Sequence, residues 1–158
     1  MRIRIYTDGA CSENPGPGGW AFVVNTDSTC NTFSGGASST TNNRMELTGV
    51  VEALRYIASQ ADGGNVYEIY CDSAYVVNSV NNKWLDGWKL NGWKTKQGDD
   101  IKNRDLWEAL SVQMCNCRKM GQQIMFIKVK GHTGNTFNEL VDKLAKSESM
   151  KAKAGVHT

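Results

Sequence analysis

Four acids in this chain stand where carboxylates could act together: Asp8, Glu46, Asp72 and Asp142. A carboxylate is a hard oxygen donor of the kind that suits Mg2+ or Mn2+. Asp8 closes an alternating run, Arg2 to Thr7, that reads as a strand, and Asp72 closes a second, Val66 to Cys71. In open α/β sheets ligands gather at the carboxyl ends of strands, where the topology switches direction. If the two strands are parallel neighbours, about 4.8 Å apart, both carboxylates face one site. Glu46 lies in the first turn of a helical stretch, beside its apolar face, and Asp142 falls between the inward Val141 and Leu144. Each acid also has a plain structural use. Asp8-Gly9 could be a turn, Glu46 the end of a capping box begun by Asn43, Asp72 a helix N-cap, and Asp142 an i+4 partner of Lys146. Periodicity leaves open whether the four converge. His132, close to Gly131 and Gly134, is either a surface loop residue or a proton shuttle, since imidazole ordinarily titrates at about 6.5.

The elements that must position these groups follow from hydrophobic period. After the first strand comes a loop, Cys11 to Gly19, with both prolines; Trp20 to Val24 and Cys30 to Phe33 read as further strands, the last ending at Gly35-Gly36. From Arg44 the period becomes helical through Leu47, Val50, Val51, Leu54, Ile57 and Ala58, and stops at Asp62-Gly63-Gly64. A strand follows to Cys71, then a short helix to Val80, a Trp- and Lys-rich stretch from Lys83 to Lys102, a helix from Asp105 to Lys119, a strand from Gln123 to Lys130, and a helix from Asn138 to Ser149. The order β-β-β-α-β-α-α-β-α implies an α/β fold, a mixed sheet flanked by helices. One domain over residues 1–149 is expected, with residues 150–158 as a frayed tail.

Bulk properties exclude more than they assign. At 158 residues the chain is one domain long, and a net charge of +2 is too mild to prove a nucleic-acid partner. Five cysteines, an odd number, and no opening signal segment favour a reduced, cytoplasmic protein. Cys115 and Cys117 have no partner pair at zinc spacing. No apolar run is long enough for a membrane span. Locally, Lys83 to Arg104 holds six basic residues against Asp86, Asp99 and Asp100, with Trp84, Trp88 and Trp93 interleaved. On a helix Trp84 and Trp88 share a face.

Tyr6-Thr-Asp8-Gly-Ala-Cys11 with Asn14-Pro-Gly-Pro-Gly-Gly19, Thr41-Asn-Asn-Arg-Met-Glu46-Leu47, Tyr70-Cys-Asp72-Ser-Ala-Tyr75-Val76, and Val129-Lys-Gly-His132-Thr-Gly134 followed by Asn138-Glu139 and Asp142 resemble, in order, the motifs of type 1 ribonucleases H. The resemblance implies a five-stranded mixed sheet, three strands antiparallel and then two parallel. It implies an endonuclease that hydrolyses the RNA strand of RNA–DNA hybrids, leaving 5′-phosphate and 3′-hydroxyl ends, with little sequence preference. Asp8, Glu46, Asp72 and Asp142 are then the metal-binding tetrad, for two Mg2+ ions or Mn2+ in their place, and His132 assists proton transfer or product release. Gly9, Cys11, Asn14, Thr41, Asn42 and Asn43 fall at positions that line the RNA side. Trp84, Trp88, Lys89, Trp93 and Lys94 fall in the basic protrusion that grips the DNA strand. Arg44 is either a phosphate contact or a structural ion pair. Two departures stand out: Ala74 replaces a frequent substrate-contacting glutamine, and the three aspartates dilute the protrusion. A monomer with no obligate protein partner is expected. The competing readings are a non-catalytic nucleic-acid-binding module and a different metal nuclease on the same sheet; the Asn-Pro-Gly-Pro-Gly and Asn-Asn-Arg-Met-Glu stretches speak against the second.

Overall fold

The computed structural model of the protein describes residues 1–129 and 136–155. Three strands open the chain, β1 (Arg2–Cys11), β2 (Gly16–Asn25) and β3 (Cys30–Thr40), followed by α1 (Asn42–Ala58), β4 (Val66–Cys71), α2 (Ala74–Asn81), α3 (Trp84–Leu90), α4 (Arg104–Lys119), β5 (Gln123–Lys128) and α5 (Thr136–Lys153). The sheet order is β3-β2-β1-β4-β5. β1–β2 and β2–β3 are antiparallel, β1–β4 and β4–β5 parallel, which is the five-stranded mixed sheet expected.

Strand alternation divides the core between the two faces. Ile3, Ile5, Phe22 and Val24 point to one side, where they meet Leu47, Val50, Leu54 and Ile57 of α1 and Trp107, Leu110 and Cys117 of α4. Tyr6, Ala21 and Val23 point to the other, against Val141 and Ala145 of α5. α1 begins where Thr41 Oγ1 accepts the Arg44 N–H. Among the described residues no helix is long and apolar enough to cross a membrane.

Several boundaries differ from the sequence reading, and glycine explains most of them. β2 and β3 run through Gly16–Gly19 and Gly35–Gly36, which read as loop and strand end. A Cβ on Gly19 would lie 2.4 Å from the Ala145 carbonyl oxygen of α5, and one on Gly36 would lie 3.2 Å from that of Glu148. These glycines mark the close passage of a helix backbone over a strand. α5 continues to Lys153, and Ala152 is buried near Gly36, so residues 150–153 belong to the fold and not to a frayed tail. α3 is an element the pattern did not separate from its surroundings. It starts after a left-handed Lys83 (φ 61°) with no side-chain cap.

Candidate active site

β1 and β4 run side by side up to the pair Thr7 and Cys71, so Asp8 and Asp72 are the next residues along the chain from that pair. β1 does not stop there: Asp8 remains paired with Ala21 of β2, and the strand continues to Cys11. The Asp8 carboxylate accepts the Gly9 N–H at 2.8 Å, and the carboxyl groups of Glu46 and Asp142 lie within hydrogen-bonding reach of it. Burial, with Asp142 adding to it, pushes the Asp8 pKa up to about 6. Glu46 is driven well above the usual carboxylate range, first by burial and then by the charge of Asp8, with a smaller push from Asp72. The four acids therefore share one edge of the sheet. Among the described residues no group of three or more acidic, cysteine or histidine side chains stands close enough together to hold a metal ion as placed.

The plain structural uses can now be weighed against this. Gly9 is no turn residue; α1 lies on it, and a Cβ there would fall 2.4 Å from the Glu46 nitrogen. Thr41, not Asn43, is the cap of α1, and Glu46 lies beyond the first turn, which holds no acid. Ser73, not Asp72, caps α2 by accepting the Val76 N–H. The Asp142–Lys146 pair does form, at 3.0 Å. On this side of the sheet Cys71 is fully buried, its sulfur 3.9 Å from Glu46 Oε2, and burial pushes its thiol up to about 12. Such a thiol is inert near neutrality.

Around the acids the end of β1 meets the start of α1. Asn14 Oδ1 accepts the Asn42 N–H at 3.0 Å, and Cys11 Sγ hydrogen-bonds to the Glu13 carbonyl at 2.6 Å. Asn42 and Asn43 are exposed and Gly9, Cys11 and Thr41 half-buried. Asn14 and Thr41 thus already serve as helix caps. His132 lies outside the described residues.

The tryptophans do not act as a set. Trp84 is 49% exposed, whereas Trp88 packs edge-on against the buried Trp107, with ring centres 5.2 Å apart, and Trp93 leans on the same core. Trp84, Trp88, Lys83, Lys94, Lys96 and Ile101 line a shared groove. Lys94 is not a free charge: it and Arg104 both bind Asp100, and those two cations hold the Asp100 carboxyl below its ordinary range. Lys89 is exposed, with no ion pair found for it among the described residues.

Arg44 resolves as a structural tie. Its guanidinium grips both oxygens of Asp105 at 2.9 and 2.7 Å and reaches Asn103 Oδ1 at 3.4 Å. Asn103 Nδ2 reaches the Tyr75 hydroxyl, which also accepts the Trp107 indole N–H at 2.8 Å. The network joins the helix bearing Glu46, the helix after Asp72 and the base of the protrusion. Sequence reading missed Tyr75, Asn103 and Asp105 here, because partners 61 residues apart leave no local signature.

Residues 1–150 match the family described as RNase H. A ribonuclease H of Thermus thermophilus is 42% identical over 148 residues, covering 94% of this chain and 84% of that protein. The chain belongs to the ribonuclease H family. Its members are metal-dependent hydrolases. A ribonuclease H of Syntrophomonas wolfei is 44% identical over 145 residues, 92% of this chain and 94% of the relative. Among solved structures, LC9-RNase H1, a type 1 RNase H with the type 2 active-site motif, superposes with a TM-score of 0.81 at 28% identity, covering 96% of this chain and 73% of that one. The type 1 resemblance and the sheet it implied both stand.

Proposed function

We propose that this chain hydrolyses the RNA strand of RNA–DNA hybrids, with Asp8, Glu46, Asp72 and Asp142 holding two Mg2+ ions, Mn2+ serving as a substitute. The observation that carries the reading is the placement of Asp8 and Asp72 just past the last pair of the parallel strands β1 and β4, with Glu46 and Asp142 beside Asp8. The donor set fits such ions: it is oxygen-only, and burial raises the pKa of Asp8 and of Glu46, a penalty on their charged forms that a bound cation would offset. Bound divalent ions would lower the pKa of an attacking water and relieve charge on the leaving oxygen. The chain's own part is to bring four acids to one edge, where bound cations would offset the penalty that burial places on the charged forms of Asp8 and Glu46. His132 assists by moving a proton near neutrality.

The hybrid partner follows from the surroundings. Small polar groups at Gly9, Cys11, Asn14, Thr41, Asn42 and Asn43 suit the 2′-hydroxyls that distinguish the RNA strand. Trp84, Trp88, Lys89, Trp93 and Lys94 suit backbone contacts to the DNA strand, which give affinity without sequence preference. The five cysteines, none of them disulfide-bonded, support a reduced, cytoplasmic setting, and we take the working unit to be a monomer.

The test is cleavage of labelled RNA–DNA, RNA–RNA and DNA–DNA duplexes with and without Mg2+. Cutting confined to the RNA of the hybrid, and only with the ion present, is expected. Intact hybrid in the presence of both Mg2+ and Mn2+ would end the proposal. The protrusion makes a finer prediction. Lys89→Ala should weaken hybrid binding and flatten its salt dependence by about one phosphate contact. Asp100→Asn, by releasing Lys94, should tighten binding about two- to fivefold at low salt. Salt titrations of labelled-hybrid binding read both, and unchanged slopes would remove the protrusion from the binding surface.

A further inference from the structure

The turn between β1 and β2 is fastened from the far end of the chain. Ser149, 3% exposed on α5, donates its hydroxyl to the Pro17 carbonyl at 3.0 Å, and its oxygen lies 2.7 Å from that of Ser12. The Ser12 backbone N–H donates to the same carbonyl at 2.8 Å. A serine hydroxyl has one hydrogen. With that of Ser149 given to Pro17, the Ser12 hydroxyl is the donor between the two side chains. α5 comes this near because Gly19 has no side chain, a Cβ there lying 2.6 Å from the Ser149 nitrogen.

The fastened turn leads straight to residues read above as hybrid contacts. Cys11 precedes Ser12, and Asn14 follows it by two residues and holds the Asn42 N–H at the start of α1. Residues 11–14 are therefore held from two sides, by Asn42 on one and by Ser149 on the other. Neither serine hydrogen-bonds to any of the four carboxylates. A defect in the clasp should therefore reach binding before chemistry.

We infer that Ser12 and Ser149 are positioning residues for hybrid binding, keeping Cys11 and Asn14 in the geometry that meets the RNA strand. The inference rests on the reading of Cys11 and Asn14 as hybrid contacts. It makes the next-to-last turn of the C-terminal helix part of substrate recognition.

The experiment compares Ser12→Ala, Ser149→Ala, the double variant and Ser12→Thr for KM and kcat on the hybrid, and for amide hydrogen exchange at Asn42. Ser12 is exposed, so its truncation leaves no cavity. Each single alanine variant should raise KM about fivefold, as for the loss of one net hydrogen bond, with kcat unchanged and faster exchange at Asn42. The double variant should be little worse than either, and Ser12→Thr, which keeps the hydroxyl, should behave as the wild type. Wild-type KM and Asn42 exchange in both single variants overturn the inference, as does a lowered Tm with KM unchanged. Asn14→Ala separates the two levels. A KM raised by Asn14→Ala but by neither serine variant overturns the clasp alone; normal KM in all three overturns the contact reading and the clasp with it.

Discussion

Asp8→Asn should destroy cleavage and, in the same molecule, stabilise the metal-free fold. Removing one carboxylate of the proposed tetrad should forfeit several kcal/mol of charge stabilisation, at least about three orders of magnitude in rate at 1.36 kcal/mol per tenfold. The gain in stability comes from the burial the carboxylate suffers, with Asp142 adding to it. Burial, with Asp142 adding to it and a hydrogen bond with Glu46 opposing it, raises Asp8 from the ordinary 3.8 to about 6, so the folded protein resists an ionisation that the unfolded chain undergoes freely. Below about pH 4 both states hold the proton and the residue has no net effect. As pH rises towards 6 the unfolded state loses its proton first, and the fold is penalised by about 3 kcal/mol, at about 1.4 kcal/mol for each pH unit between the two values. Asparagine has no proton to lose. Without metal, the variant's Tm should match the wild type near pH 4 and exceed it by roughly 6–12 °C at pH 7. Mg2+ should raise the wild-type Tm and narrow that gap. Equal melting of the two proteins at pH 7 in chelator would mean that Asp8 is not crowded; undiminished cleavage would remove it from the site.

Gly9→Ala is the second large effect, and it is steric. The added methyl would stand 2.4 Å from the Glu46 nitrogen, 2.5 Å from the Met45 carbonyl carbon and 2.8 Å from Met45 Cβ. Two of these atoms are helix backbone and cannot swing aside, so α1 must lift from β1. Overpacking of this kind costs about 1–3 kcal/mol. The lift also carries Glu46 away from Asp8, and a displacement near 1 Å in a catalytic constellation costs about a hundredfold. The variant should melt cooperatively at a lower temperature, bind hybrid, and cleave about a hundredfold more slowly. Full activity at an unaltered Tm would show that α1 does not rest on this residue.

The contrast between these two positions shows how much of the molecule was legible in advance. β4 was read with its bounds intact, because a strand central to the sheet carries apolar residues on both faces. α1 was clear from its period. The adjacency of Asp8 and Asp72 needed only the premise that their strands are parallel neighbours. Glu46 and Asp142 were harder, since their approach depends on how closely two helices dock, and that is set by side chains that are missing at Gly9 and Gly19. A glycine looks the same in sequence whether it turns the chain or admits a neighbour. α3 escaped for a different reason: seven residues with an internal Gly87 and an uncapped start carry too little periodic signal. The proposed substrate contacts come from family resemblance and not from pattern, and Trp88 and Trp93 are partly buried against the core.

The fork of Arg44 on Asp105, with Asn103 and Tyr75 behind it, leaves little slack between grip and blade. On the proposed reading, a load applied at the protrusion by a bound DNA strand would be carried through these hydrogen bonds to the helix that bears Glu46. Tightening the handle and sharpening the edge are therefore not separate engineering problems in this enzyme. Substitutions at the root of the handle will be felt in turnover as well as in affinity.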